Sequence, residues 1–66
     1  MSLYDYVQSW KIEAHGWPFY GLIMAAMRQA DTDELAKLRL AFPGVYSELL
    51  ARYRAPGWLL PGEEDV

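Results

Sequence analysis

The side chains that could carry acid–base or nucleophilic chemistry are few in this chain of 66 residues. Glu13 and His15 come nearest to an acid–base pair, but residues two apart on a helix point in different directions. None of Ser2, Ser9 and Ser47 lies in a Gly-x-Ser-x-Gly turn, and one histidine would have to serve any catalytic triad. The glycines are scattered singly, so they form no phosphate-binding loop. The sequence therefore predicts a protein that is not an enzyme.

Metal and cofactor chemistry also lacks residues to support it. The chain has no cysteine, and His15 cannot build a zinc site alone. We expect no metal and no cofactor, and we expect His15 to cap the C-terminus of the first helix, where a cation meets the negative end of the helix dipole. The start of the chain, MSLYDYVQSW, does not resemble a secretory leader. Together with the lack of cysteine, this predicts a cytoplasmic location.

The charge of the chain is concentrated at its C-terminus. The formal net charge is −3, and Glu63, Glu64 and Asp65 account for it, because the nine acidic residues less these three equal the six basic ones. A neutral body offers neither the basic footprint that nucleic acid requires nor an acidic imitation of DNA. We therefore do not expect nucleic acid as a partner.

The helix signals divide the chain into four short helices. Ser2 with Asp5, and Asp31 with Glu34, are spaced as N-terminal caps, and Pro43 closes one helix and opens the next. The sequence predicts a compact all-α bundle with helices over approximately 3–14, 18–30, 32–42 and 43–55. It further predicts one domain over 1–60, an apolar segment from Trp58 that folds back on the bundle, and an acidic, flexible tail over 61–66.

An apolar block, WPFYGLIMAAM from Trp17 to Met27, is the most unusual feature of the chain. It is far shorter than the roughly 20 apolar residues of a membrane-spanning helix, so we expect no membrane association. Its helix has two apolar faces, one of which includes Gly21, Leu22 and Ala25. Two interpretations follow. Either the other three helices surround this helix, which we favour, or one face meets a foreign helix or a second copy of the chain.

The aromatic side chains divide in the same way. Trp10, Phe42, Tyr46 and Tyr53 follow regular helical stripes and are predicted to be core. Those at the start of the second helix are as consistent with an interface as with a core, and Met24 suits an adaptable contact. The candidate partner-binding residues are Trp17, Phe19, Tyr20, Gly21, Leu22, Met24 and Ala25.

The stretch FYGLIMAAMRQADTDELAKLRLAFPGVYSELLARYRAPG, from Phe19 to Gly57, resembles short uncharacterised proteins of phage and prophage gene clusters. The similarity covers an overall run of residues and includes no catalytic signature, so it assigns no functional residue. It implies a small one-domain protein that acts in the host cell by binding a larger host or viral protein, sometimes to block defence or nucleic-acid machinery.

From these observations we expect a non-enzymatic protein-interaction module, a phage-type accessory or inhibitor protein with an anti-defence role, that binds a larger protein or self-associates. A small DNA-associated regulatory protein is the second hypothesis, because the third and fourth helices superficially resemble a helix-turn-helix pair. A recognition helix that carries Glu48 and the apolar Tyr46, Leu49 and Leu50 would read base edges poorly. A structural component of a virion is the third hypothesis.

Overall fold

Four α-helices and a short 3₁₀ turn follow one another along the chain in the computed structural model, which describes residues 1–60 and 62–63. The helices are α1 (Leu3–Ala14), α2 (Phe19–Gln29), α3 (Thr32–Ala41) and α4 (Pro43–Arg54), and the 3₁₀ turn covers Pro56–Trp58. No strand occurs in the described ranges. The all-α prediction is confirmed, and every predicted helix boundary lies within one residue of the observed one.

The helix N-termini form where the sequence supplies side-chain acceptors. The Ser2 hydroxyl accepts the backbone N–H of Asp5 at 3.2 Å and donates to the Asp5 carboxylate at 2.9 Å. At the start of α3, the Asp31 carboxylate accepts the Glu34 N–H at 2.8 Å, and the Glu34 carboxylate accepts the Asp31 N–H at 3.0 Å. Each cap pairs backbone donors that have no partner inside the helix. Both predicted caps are therefore confirmed.

Prolines and glycines set the remaining boundaries. Pro18 precedes α2 in an extended conformation, with φ −66° and ψ 146°, so this helix begins one residue later than predicted. Pro43 is the first residue of α4, where its missing N–H costs nothing. Gly16 follows α1 with a φ of 73°, a left-handed conformation that glycine adopts without strain. The corner formed by Gly16 and Pro18 turns the chain between α1 and α2.

The packed part of the molecule consists of α2, α3, α4 and the 3₁₀ turn, which approach one another closely. Met27 of α2 is the one buried side chain of the described residues, with 3% of its surface exposed. Around it the three helices contribute half-buried apolar side chains: Leu22, Ile23, Met24, Leu35, Leu38, Val45, Leu49 and Leu50. The core is thus small, and it sits on one side of α2.

Helix α1 stands apart from this core. Within the described ranges, no Cα atom of α1 comes within 8 Å of a Cα atom of another helix. The molecule measures 43 × 27 × 16 Å, and its radius of gyration is 14.1 Å. A compact chain of this length has a radius of gyration of roughly 11 Å. The interpretation that all three other helices surround α2 is therefore wrong for α1, because the Gly16–Pro18 corner holds α1 away from α2.

The segment after α4 folds back, as predicted. The Arg52 guanidinium donates to the Trp58 carbonyl at 3.0 Å, and the 3₁₀ turn packs on α4. Glu63, which we placed in a flexible tail, accepts two hydrogen bonds from Arg52 at 2.7 and 2.8 Å. The rest of the predicted tail, residues 61 and 64–66, lies outside the described residues. The attachment of this segment is polar.

Candidate protein-interaction site

An open groove separates α1 from α2 and has a volume of about 650 Å³. We call it the α1–α2 groove. Seven of its ten lining residues are apolar or glycine, and Glu13 is the one charged residue among them. The lining residues are Ser9, Ile12 and Glu13 of α1, Trp17 and Pro18 of the corner, and Gly21, Leu22, Ala25, Ala26 and Gln29 of α2. The groove therefore presents an apolar concave surface to solvent.

Small residues make the α2 wall of this groove shallow. Gly21, Ala25 and Ala26 are exposed, and a Cβ atom built on Gly21 would lie 3.2 Å from Cγ of Pro18. The missing side chain of Gly21 thus leaves room for the proline ring of its own chain. Trp17 stands at the corner with 58% of its surface exposed, and its ring stacks on His15 at 5.6 Å between centroids.

A second apolar surface runs along the free side of α1, and we call its residues Leu3, Tyr6, Val7 and Trp10 the α1 stripe. Tyr6 and Trp10 pack edge to face with ring centroids 5.3 Å apart. Val7 is half-buried and the other three are exposed, including Trp10 at 61%. The prediction that Trp10 is core is therefore wrong for the single chain, because α1 packs against no other helix.

The aromatic residues at the start of α2 face a different surface. Tyr20 and Met24 line a cleft with Phe42, Gly44, Val45 and Glu48, which we call the α2–α4 cleft. Phe19 packs edge to face on Tyr20 at 5.2 Å and on Phe42 at 6.2 Å. The candidate residues therefore do not form one patch. Trp17, Gly21, Leu22 and Ala25 belong to the α1–α2 groove, whereas Phe19, Tyr20 and Met24 belong to the α2–α4 cleft and its rim.

The other aromatic side chains of α4 have mixed environments. Phe42 and Tyr46 are half-buried, in agreement with their predicted place in the core. Tyr53 is 72% exposed, so its predicted burial is wrong. The neighbouring 3₁₀ turn packs on α4 but leaves this side chain in solvent. Regular helical spacing identified the apolar side of α4 correctly, but the packed core is too small to cover its last turn.

Two of the basic residues are engaged within the chain. Arg52 donates from Nε to Glu48 at 2.9 Å, a contact that helical spacing of four residues allows, and binds Glu63 through two further nitrogens. Hydrogen bonds from Arg52 and from the Leu60 N–H hold the pKa of Glu63 below its usual range, and the bonds to Glu63 and Glu48 raise the pKa of Arg52. The Arg39 guanidinium lies 4.7 Å from the centre of the Tyr46 ring. Both cations are therefore poorly placed to follow a phosphate backbone.

The residues considered for catalysis remain separate. His15 occupies the C-cap position of α1, where its backbone N–H donates to the Ile12 carbonyl at 3.2 Å. Among the described residues, no side-chain hydrogen bond joins the His15 imidazole to the Glu13 carboxylate. No group of three or more metal-ligating side chains occurs among residues 1–60 and 62–63. Over the same ranges, no helix has the length and apolar character to cross a membrane.

Two features of the surface were missed at the sequence level. The ion pair between Arg52 and Glu63 joins residues eleven apart, a spacing that no helical period predicts. The α1–α2 groove depends on the angle between two helices, which the Gly16–Pro18 corner sets and which apolar periodicity does not encode. A tryptophan and a proline directly before a helix with small residues were the available signal.

Comparisons of the chain with protein-family models, with curated proteins and with solved structures found no match. The α1–α2 groove, the α1 stripe and the α2–α4 cleft are therefore the surfaces from which a function can be inferred.

Proposed function

We propose that the chain is a non-enzymatic protein-interaction module, an accessory or inhibitor protein of the phage type that acts by binding a larger host or viral protein. One observation carries the proposal. Large apolar side chains are exposed over α1, the corner before α2 and the start of α2, among them Trp10, Trp17, Phe19 and Tyr20, each with more than half of its surface in solvent. Exposed apolar surface of this kind is typical of protein–protein contact sites.

The α2–α4 cleft is the surface that we assign to the larger partner. Tyr20 is 59% exposed and Met24 is half-buried, so both present apolar atoms while the backbone of α2 stays anchored on α4. Tyrosine is a frequent anchor of protein interfaces, and methionine adapts to irregular surfaces. The occupant that fits is an apolar side chain on a folded protein, which would enter between Tyr20 and Val45.

Affinity capture with matched variants tests this function. We expect a Tyr20→Ala, Met24→Ala double variant to lose the captured protein, whereas Leu40→Ala, which changes an 86% exposed residue of α3, retains it. Far-UV circular dichroism of both variants verifies that the helices remain. Equal capture by the wild type, the double variant and Leu40→Ala would contradict the assignment of the larger partner to the α2–α4 cleft.

A gel mobility assay with duplex DNA at low salt tests the alternative hypothesis that the protein is a DNA-associated regulator. We expect no shift, because the body of the chain is neutral and Arg52 and Arg39 are engaged internally. Tight binding that weakens steeply with salt would replace the proposed function with the regulatory one. Nothing in the described part of the structure favours a structural role in a virion.

A further inference from the structure

We infer that a second copy of this chain covers the N-terminal half of the molecule, with the α1 stripe of each copy seated in the α1–α2 groove of the other. This inference deepens the proposed function and rests on it, since it names one protein partner and leaves the α2–α4 cleft for the larger one.

Helix α1 lacks close packing within its own chain. An isolated helix of 12 residues is marginal in water even when its sequence favours helix, because few residues offset the cost of nucleation. Ser2 caps this helix, yet no Cα atom of α1 lies within 8 Å of a Cα atom of another described helix. Its aromatic stripe is also left in water. A helix with these properties requires a surface outside the single chain to cover it.

The exposed apolar side chains of this region can cover an area of the size that an interface needs. Aromatic side chains bury roughly 150–250 Å² each, so covering Tyr4, Tyr6, Trp10 and Trp17, which are 52–70% exposed, would bury on the order of 500 Å². A standard interface buries about 800 Å² on each partner, and obligate homodimers bury more. Leu3 and Ile12 add to the area on the same helix. Most of the exposed large apolar side chains before residue 20 belong to α1 and the corner: Leu3, Tyr4, Tyr6, Trp10, Ile12 and Trp17.

The α1 stripe and the α1–α2 groove are complementary surfaces of the same chain. The groove is concave, with Gly21, Ala25 and Ala26 along its α2 wall, and small residues allow helix axes to approach closely. The stripe projects Tyr6 and Trp10 into solvent. Because every copy carries both surfaces, two copies related by a twofold axis can cover both stripes and fill both grooves. Such an arrangement closes at two chains.

Charge favours the same occupant. Glu13 is the charged residue of the groove lining, and Lys11 flanks the stripe four positions after Val7. Glu13 also flanks the stripe, three positions after Trp10, so each copy brings one lysine and one glutamate to the interface and two copies can pair them. The neutral body adds no repulsion between two copies. A second copy thus supplies the shape, the apolar surface and the charge that this groove requires.

Sedimentation equilibrium on the full chain measures the association. We expect the mass of two chains at micromolar concentration and a loss of helical signal on dilution. Ala25→Glu should weaken dimerisation by at least about 100-fold, because it buries a carboxylate without a partner. Ala25 is exposed in the single chain, so this variant leaves the α2–α4 core intact. The matched control Leu40→Glu should dimerise as the wild type does.

Cysteine cross-linking tests the seating directly, since the natural chain has no cysteine. We expect a mixture of Val7→Cys and Ala25→Cys chains to form a mixed disulfide under mild oxidation, because disulfides require Cβ atoms about 4 Å apart. An Ala36→Cys control on α3 should remain reduced. Cross-links only between two Val7→Cys chains, or none above the control, overturn the seating.

The failures of the two proposals are distinguishable. A monomer at all concentrations overturns the second copy and leaves capture through the α2–α4 cleft to be judged on its own variants. Conversely, Tyr20→Ala with Met24→Ala should not change the dimer. Dimerisation with no cleft-dependent capture would remove the larger partner and leave the dimer in place.

Discussion

The N-terminal helix and the C-terminal segment are attached to the molecule in opposite ways. Helix α1 is regular and capped by Ser2, yet it lies away from the other helices. The segment after α4 contains only a three-residue 3₁₀ turn, yet Arg52 fixes it through the Trp58 carbonyl and the Glu63 carboxylate. Helix α1 is held by local hydrogen bonds, whereas the C-terminal segment is held by the side chain of Arg52 on α4. Regular secondary structure is therefore no measure of how firmly a segment is held.

The largest effect is expected in the packed helices α2, α3 and α4, which lie apart from α1. Met27→Ala removes the one buried side chain of the described residues and should destabilise these three helices by about 2–5 kcal/mol, the usual cost of a buried methionine-to-alanine change. Urea unfolding monitored by circular dichroism measures it. For comparison, Leu40→Ala on the exposed side of α3 should stay within about 0.5 kcal/mol of the wild type. A similar loss of unfolding free energy in Met27→Ala and Leu40→Ala would show that α2, α3 and α4 do not form an effective core.

The next effect concerns the capping box of α3, inside the packed unit. Asp31→Ala removes the acceptor of the Glu34 N–H and should lower the free energy of unfolding by about 1 kcal/mol. The loss should be visible in the urea midpoint, because α3 packs on α2 and α4 and unfolds together with them. Asp33→Ala, which leaves the cap intact, is the matched control. A midpoint unchanged by Asp31→Ala would mean that α3 unfolds independently of its neighbours.

The same chemistry at α1 should give a smaller change in global stability. Ser2→Ala also removes an N-terminal cap, but no Cα atom of α1 lies within 8 Å of the other described helices. We expect the free energy of unfolding of the dilute protein, measured in urea, to change by less than about 0.5 kcal/mol while its helical signal falls. At high concentration the variant should instead weaken dimerisation. A shift as large as that of Asp31→Ala in the dilute protein would indicate that α1 packs within its own chain.

The comparison of these two caps also marks the extent of what sequence can predict. Capping residues, prolines and glycines act within four positions, and they placed every helix boundary within one residue. Apolar periodicity identified which side of each helix is apolar. It correctly assigned Phe42 and Tyr46, which lie half-buried on the packed unit.

Periodicity failed where burial depends on the orientation between helices. Trp10 and Tyr53 have the same spacing as core residues, but one lies on a helix without neighbours and the other on the last turn of α4. The division of the candidate site has the same origin. Tyr20 and Leu22 are neighbours in sequence and lie on two surfaces of α2, which only the positions of α1 and α4 define.

The smallest effect is acid release of the C-terminal segment. Hydrogen bonds from Arg52 and from the Leu60 N–H hold the pKa of Glu63 below its usual range. A depressed folded-state pKa means that the carboxylate stabilises the fold above the unfolded pKa, and that this contribution is lost as pH falls through the folded value. The segment should therefore be held at neutral pH and released at a pH below the ordinary pKa range of glutamate.

Hydrogen exchange at the Leu60 amide, which bonds to Glu63 at 2.9 Å, measures the release. In Glu63→Gln the protection factor of this amide, which corrects for the intrinsic pH dependence of exchange, should be low at neutral pH and should no longer fall with acid. Glu13→Gln on α1 should leave the protection factor unchanged. Slow exchange in Glu63→Gln would mean that apolar packing on α4, and not the ion pair, holds the segment.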